Sequence, residues 1–158
     1  QIIRAMPNMP ALVEKGITCL VSNKKTSNQN KIVASSLFKA VGKIIWLNNE
    51  SDIDKVTAVS GSGPAYYYLY IEYLISEAVE IGIKRKIAEE LVYQTAFGAI
   101  DLLKIIKKPA SELKRSIAVK GGTTEAAIKV FENKNLFKRI IRKAIKAAYH
   151  RSKKLGNS

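Results

Sequence analysis

The rhythm of apolar and polar positions changes near residue 48. Before it, short apolar runs alternate with polar stretches. Ile2 and Ile3 begin a strand, and Met6-Pro7-Asn8-Met9-Pro10 reads as a loop fixed by two prolines. Ala11 to Lys15 is long enough for one helical turn, stopped by Gly16, and Ile17 to Val21 is a compact strand-like run. Ser27 is placed to cap a helix running through Val41, with Ile32, Val33, Leu37, Phe38 and Val41 on one face and Gly42 at its end. Lys43 to Leu47 then reads as a further strand. Two or three strands and one helix are too few to stand as a sheet domain, so residues 1–48 read as the trailing part of an α/β domain.

After the polar linker Asn48-Asn49-Glu50-Ser51 the pattern becomes helical throughout. Ile53, Val56, Thr57 and Val59 suit a short helix, although their β-branching leaves a strand open. Gly61-Ser62-Gly63-Pro64 breaks the chain, with Pro64 suited to open a helix ending at Gly82. That helix starts Ala65-Tyr66-Tyr67-Tyr68-Leu69-Tyr70-Ile71, apolar or aromatic nearly all round, a pattern that calls for cover on more than one face. In so small a domain the simplest second cover is another copy of the chain. Further helices are expected over Lys86 to Lys107, with Leu91, Ala96, Ala99, Leu102 and Leu103 as core positions, and from a Ser111 cap through Leu113 and Ile117. The last is expected from Asn135 to Leu155, with Ile140, Ile141, Ala144, Ile145 and Ala148 at helical spacing. Gly156-Asn157-Ser158 should fray.

Composition narrows the function classes. The 158 residues are 47% hydrophobic, enough for a core, and no apolar run is long enough to span a bilayer. The sequence reads as a soluble chain, and its start on Gln1 suggests that it begins inside a longer protein. The lone Cys19 fits a reducing cytoplasm. A formal net charge of +14 raises the question of nucleic acid. Lysines outnumber arginines 21 to 6 and are dispersed along polar helix faces, so the charge reads as a solvated surface and no nucleic-acid or membrane partner is expected.

Candidate chemistry centres on Lys120-Gly121-Gly122-Thr123-Thr124-Glu125, two glycines and two threonines where a helix begins. Unpaired N–H groups and the positive dipole end at such a position suit a carboxylate or phosphate, with the hydroxyls as additional donors. The plainer alternative is a helix cap, with Gly121-Gly122 as a turn and Thr123 as the N-cap residue. Gly61-Ser62-Gly63 fails as a dinucleotide fingerprint. Tyr66 stands at its third glycine position, and Pro64 lacks an N–H where a pyrophosphate needs donors. His150 is the sole histidine and has no partner at metal spacing, so no metal is expected. Residue types and spacing therefore reach a helical oligomerisation domain with a possible anion pocket.

Three segments go further. Val56-Thr57-Ala58-Val59-Ser60-Gly61-Ser62-Gly63-Pro64-Ala65-Tyr66 resembles the signature of pyrroline-5-carboxylate reductases. Lys120-Gly121-Gly122-Thr123-Thr124 follows where that family has its substrate loop, and Arg4-Ala5-Met6-Pro7-Asn8-Met9-Pro10-Ala11 is similar to the family segment near the end of its nucleotide-binding half. The resemblance implies a mainly α fold: a helical dimerisation domain of the 6-phosphogluconate dehydrogenase-like C-terminal type at 49–158, preceded by the tail of a Rossmann α/β sheet at 1–48. It implies cytoplasmic NADPH- or NADH-dependent reduction of 1-pyrroline-5-carboxylate to L-proline by an oligomer that is at least a dimer. The 158 residues alone are expected to be inactive, because the glycine-rich turn is not among them.

By the same resemblance, Gly121, Gly122 and Thr123 would bind the substrate carboxylate through their backbone, and Thr124 would be the catalytic hydroxyl, bound to substrate near the ring nitrogen. Glu50 would lie by the ring, and Pro7 and Asn8 at the nicotinamide end of the cofactor. Departures are Val119-Lys120 where many relatives read Ser-Pro, Ser116 where some have an asparagine, and a Pro109–Leu113 segment one residue longer than in some relatives. The competing expectation is a module that keeps the oligomer and has lost catalysis.

Overall fold

The computed structural model describes residues 1–156, and contacts divide it into two compact units: Gln1–Tyr67 with the segment from Arg142 onward, and Tyr68–Ile141. In the first unit, β1 (Ile3–Met6), β2 (Gly16–Ser22) and β3 (Gly42–Trp46) form a sheet of order β1-β2-β3 among the described residues. β1 runs antiparallel to β2 in the register Ile3↔Ser22, and β2 runs parallel to β3 in the register Gly16↔Gly42. The parallel pair is joined through helix α1 (Asn28–Lys39), the crossover that such a pair requires. β2 is the central strand and is buried from Thr18 to Val21, so its apolar run faces cover on both sides.

Local chemistry sets the boundaries. Ser27 accepts the Asn30 N–H at 3.2 Å and caps α1 as expected. Its helix stops at Lys39, and Gly42 instead opens β3 with φ +147°, where a Cβ would overlap the Gly16 carbonyl. The turn expected over Ala11 to Lys15 is a 3-10 helix at Met9–Val13, closed by Glu14 in the left-handed region (φ 57°).

The expected inner face of α1 is corrected. Ile32, Val33 and Leu37 are exposed, Leu37 by 68%, while Phe38 and Val41 are half-buried. The face that meets the sheet carries Ser35, whose Oγ accepts the Trp46 indole N–H at 3.0 Å, and Lys31, whose ammonium lies 5.9 Å from that ring. A three-stranded sheet offers too little surface to cover the rest of the apolar ridge.

The linker leads into α2 (Asp52–Val56) and then a π-helical turn, Thr57–Gly61. Thr57 Oγ1 donates to the Ile53 carbonyl at 2.7 Å and Ser60 Oγ to the Val56 carbonyl at 2.9 Å. Hydroxyls that bond back four residues compete for the carbonyls of the ladder, and the Ser62 N–H reaches the Thr57 carbonyl at 2.8 Å with π spacing. The expected break at Gly61–Pro64 is therefore a tight passage into α3 (Gly63–Glu80), with Gly63 rather than Pro64 as its first residue. The Tyr66 hydroxyl donates to the Ala58 carbonyl at 3.1 Å and ties the start of α3 to the π-turn. The unit is completed by the end of α7 (Leu136–Gly156), where Ser152 Oγ donates to Asp54 Oδ1 at 2.6 Å. Gly156, expected to fray, is still helical, and Asn157 and Ser158 lie outside the described residues.

The second unit holds most of α3, then α4 (Arg85–Ile106), α5 (Ala110–Ile117), α6 (Thr123–Glu132), a 3-10 turn at Asn133–Asn135 and the start of α7. Pro109, not Ser111, is the N-cap of α5. An aromatic cluster forms where Phe137 meets Phe131 edge-on at 5.5 Å and Tyr70 at 6.5 Å.

Among the described residues only Ile75 and Ala88 are buried hydrophobics of this unit. The expected core positions Leu91, Ala99, Leu102, Ile140, Ile141 and Ala144 are exposed, and Ala96, Leu103, Ile145 and Ala148 are half-buried. Helical spacing identified the apolar faces; within one chain those faces have too few neighbours to cover them. Among the described residues no helix is long and apolar enough to cross a membrane.

Candidate functional site

The glycine-threonine stretch is built in two steps. α5 ends at Ile117, and a tight turn over Val119–Gly122 is closed by the Gly122 N–H donating to the Val119 carbonyl at 3.0 Å. Gly121 is its third residue with φ +77°, the position at which a type II turn demands glycine. Gly122 is then the N-cap of α6, extended at φ −83°, ψ 164°, and the Ala126 N–H bonds to its carbonyl at 3.2 Å. Thr123, the cap residue in the plainer expectation, is instead the first helical residue.

The amides at this corner divide into two groups. Gly121 N–H donates to Glu125 Oε2 at 2.8 Å, and Gly122 N–H is held by Val119, so neither is free for a ligand in this conformation. This corrects the expectation that both glycine amides are open donors. A carboxylate in the first turn is drawn back onto the nearest unpaired N–H by the helix dipole, and the chain supplies one in Glu125. The Gly121 N–H and then Lys129, 3.2 Å away, hold the Glu125 carboxyl below its ordinary range. The amides of Thr123, Thr124 and Glu125 have no acceptor among the described residues, and the hydroxyls of Thr123 and Thr124 make no hydrogen bond there. Thr124 is half-buried and Thr123 exposed; Lys120 is exposed and in no ion pair among the described residues.

The remaining expected site residues belong to the first unit. Pro7 is exposed on the turn after β1. Asn8 is half-buried, its Nδ2 donating to the Ser60 carbonyl at 3.2 Å and its Oδ1 accepting the Ile17 N–H at 2.9 Å. Glu50 is exposed and accepts a hydrogen bond from Arg4 Nη1 at 3.2 Å. The structure thus joins Asn8 to the π-turn and Glu50 to β1, while Gly121, Gly122, Thr123 and Thr124 form one corner of the second unit. Cys19 is buried in β2, and burial pushes its thiol up against the opposing effect of a hydrogen bond with Ser60. No cluster of three metal-ligating side chains occurs among the described residues.

Two features escaped the sequence reading. The Arg4–Glu50 pair leaves no local signal, because it links positions 46 residues apart. The Glu125 clasp had one: a glutamate three residues after the cap position is the mark of a capping box.

The residues present also limit what this chain can hold. A dinucleotide needs a glycine-rich turn between a strand and a helix, and the β2–α1 connection, Asn23-Lys24-Lys25-Thr26-Ser27, has no glycine. The pyrophosphate cradle of a dinucleotide is therefore not among the described residues.

Comparison with known proteins adds the family. Residues 50–155 match the model described as pyrroline-5-carboxylate reductase dimerisation. The chain is 40% identical to a pyrroline-5-carboxylate reductase of Pseudomonas aeruginosa over 154 residues, 98% of this chain and 56% of that protein. It is 41% identical to one of Synechocystis over 155 residues, 98% of this chain and 57% of that protein. Among solved structures, a pyrroline-5-carboxylate reductase from Coxiella burnetii superposes with a TM-score of 0.90 at 41% identity, covering 98% of this chain and 57% of that one. The Plasmodium falciparum pyrroline carboxylate reductase with NADP bound does so with a TM-score of 0.92 at 38% identity, covering 99% and 63%. The chain spans a little over half the length of the curated relatives it matches.

Proposed function

Because this chain belongs to the pyrroline-5-carboxylate reductase family, we propose that it is the substrate-binding and dimerisation part of an enzyme that reduces 1-pyrroline-5-carboxylate to L-proline in the cytoplasm. The observation that carries the reading is the corner at Gly121–Thr124. It offers the unbonded amides of Thr123 and Thr124 and two unbonded hydroxyls at a helix start. These donors suit the ring carboxylate, and the two glycines shape the turn and let the ring come close. Thr124, half-buried, is the catalytic hydroxyl that orients the ring nitrogen so that the protonated imine presents C5. Glu50, which pairs with Arg4 in this structure, would contribute a negative charge that favours the iminium.

NADPH or NADH would supply the hydride, with Pro7 and Asn8 as the residues that would meet its nicotinamide end. We place the domain boundary at 48/49, supported by a family match that begins at residue 50. The exposed aromatic residues of α3 and the described match to a dimerisation region support a homodimer. The alternative is a module of the same family that retains the oligomer without catalysis, and it predicts no turnover.

The test is a steady-state assay of proline-dependent NADP+ or NAD+ reduction by the full-length protein carrying this chain. Turnover is expected, and Thr124→Ala should lower kcat by about 10- to 100-fold, the range for loss of a general acid–base or orienting group, with the oligomer intact. No turnover with either nucleotide leaves the non-catalytic module. Unchanged kinetics in Thr124→Ala removes that residue from its role.

A further inference from the structure

Resting on the reductase reading above, we propose that Asn8 is a positioning residue: its side chain clamps the turn carrying Pro7 onto the π-turn Thr57–Gly61 and so fixes where that turn stands. The carboxamide joins three segments. Its Nδ2 donates to the carbonyl of Ser60, 52 residues away, and its Oδ1 accepts the N–H of Ile17, nine residues away. Only a side chain with a donor and an acceptor on one planar group satisfies both partners, and a half-buried site penalises leaving either unpaired.

Two neighbouring contacts fasten the same place. The Met6 methyl packs so closely on Gly61 that a Cβ there would come within 2.5 Å of it. Ser60 itself bonds through its hydroxyl to the Val56 carbonyl and lies beside the Cys19 side chain of β2. The π-turn opens directly into α3, so the clamp relates the end of β1 to the first residues of that helix. With the carboxamide occupied in this way, Asn8 meets the cofactor region through its backbone and shapes it through its side chain. Misplacement of a reacting group by about an ångström costs on the order of 100-fold in rate, so such a clamp acts on turnover rather than on affinity.

Two variants of the full-length protein test this. Asn8→Ala removes both bonds: kcat is expected to fall about 10- to 100-fold while the KM for pyrroline-5-carboxylate and the calorimetric Kd for NADPH stay within about twofold. Asn8→Asp keeps the shape and the acceptor but loses the donor when ionised, setting a carboxylate against the Ser60 carbonyl. Its activity relative to the parent should rise as pH falls from about 8 to about 4, because burial beside the Ser60 carbonyl raises the carboxyl above its ordinary ~3.9 and the protonated form restores the donor. The titratable side chain beside Ser60, the Cys19 thiol, stays neutral across that range, since burial raises it.

An unaltered kcat in Asn8→Ala, an NADPH Kd that weakens in step with kcat/KM, or a flat Asn8→Asp to parent ratio would each overturn the proposal. If Asn8→Ala does not fold, the pH ratio decides alone. A parent protein without turnover defeats the reductase reading and the clamp's role with it; an active parent with indifferent variants defeats the clamp only.

Discussion

Glu125 occupies a position where one charge serves two demands. It neutralises the start of α6 by taking the Gly121 N–H, and it is in turn held by Lys129. Its carboxyl is lowered from the ordinary 4.5 in the folded chain, first by the Gly121 amide and then by Lys129. A group depressed on folding contributes fully above its unfolded value, and that contribution is lost as pH falls through the lowered one. The Gly121 amide resonance is therefore expected to titrate with a midpoint below 4.5, and the step should vanish in Glu125→Gln. A midpoint at or above that value would mean that the clasp is not formed. The same clasp separates the four residues of the corner: the glycines make the turn and have their amides bonded, while the threonine amides and hydroxyls stay unbonded among the described residues.

Among the elements, β3 depends most on a single backbone geometry. Gly42 enters it at φ +147° with the Gly16 carbonyl where a side chain would begin. Gly42→Ala should destabilise the first unit by about 1–3 kcal/mol, read from urea unfolding followed by circular dichroism. An unchanged midpoint would show that the strand end relaxes freely. What could be read from sequence follows the same line between local and distant causes. The β2 run, the Ser27 cap and the lengths of α3, α4 and α7 were legible because periodicity and capping are local. The π-turn was hidden, since it arises from Thr57 and Ser60 bonding back to carbonyls four residues earlier, which composition does not announce. The inner face of α1 was misread for another reason. Ile32, Val33 and Leu37 are apolar at the right spacing, but burial depends on how wide a sheet lies opposite. At the candidate site the glycine-threonine corner was legible, whereas the amides spent within it were not: a sequence gives donors, and only the folded turn shows which ones are already bonded.

In the chain as one body, apolar surface exceeds what 158 residues cover by themselves. Tyr67 is 63% exposed, Tyr73 59% and Phe97 67%, and the second unit buries few hydrophobics of its own. Burying one such ring contributes about 1.5–3 kcal/mol, and a twofold interface counts each substitution twice. Tyr73→Lys in the full-length protein is therefore expected to weaken self-association by on the order of 100-fold in sedimentation velocity. A mass distribution indifferent to this change would move the contact to another face. The surplus of cations, +14 overall, would keep so apolar a surface dispersed until that contact forms.

The bond between Trp46 and Ser35 has a practical consequence. The indole is the chain's single tryptophan, pinned between α1 and the edge strand with an ammonium above its ring. Its emission colour and quenching are thus a built-in gauge of whether that helix sits on the sheet. The gauge reads the first unit while remaining blind to the helical one, so loosening of the first can be timed on its own without attaching a dye.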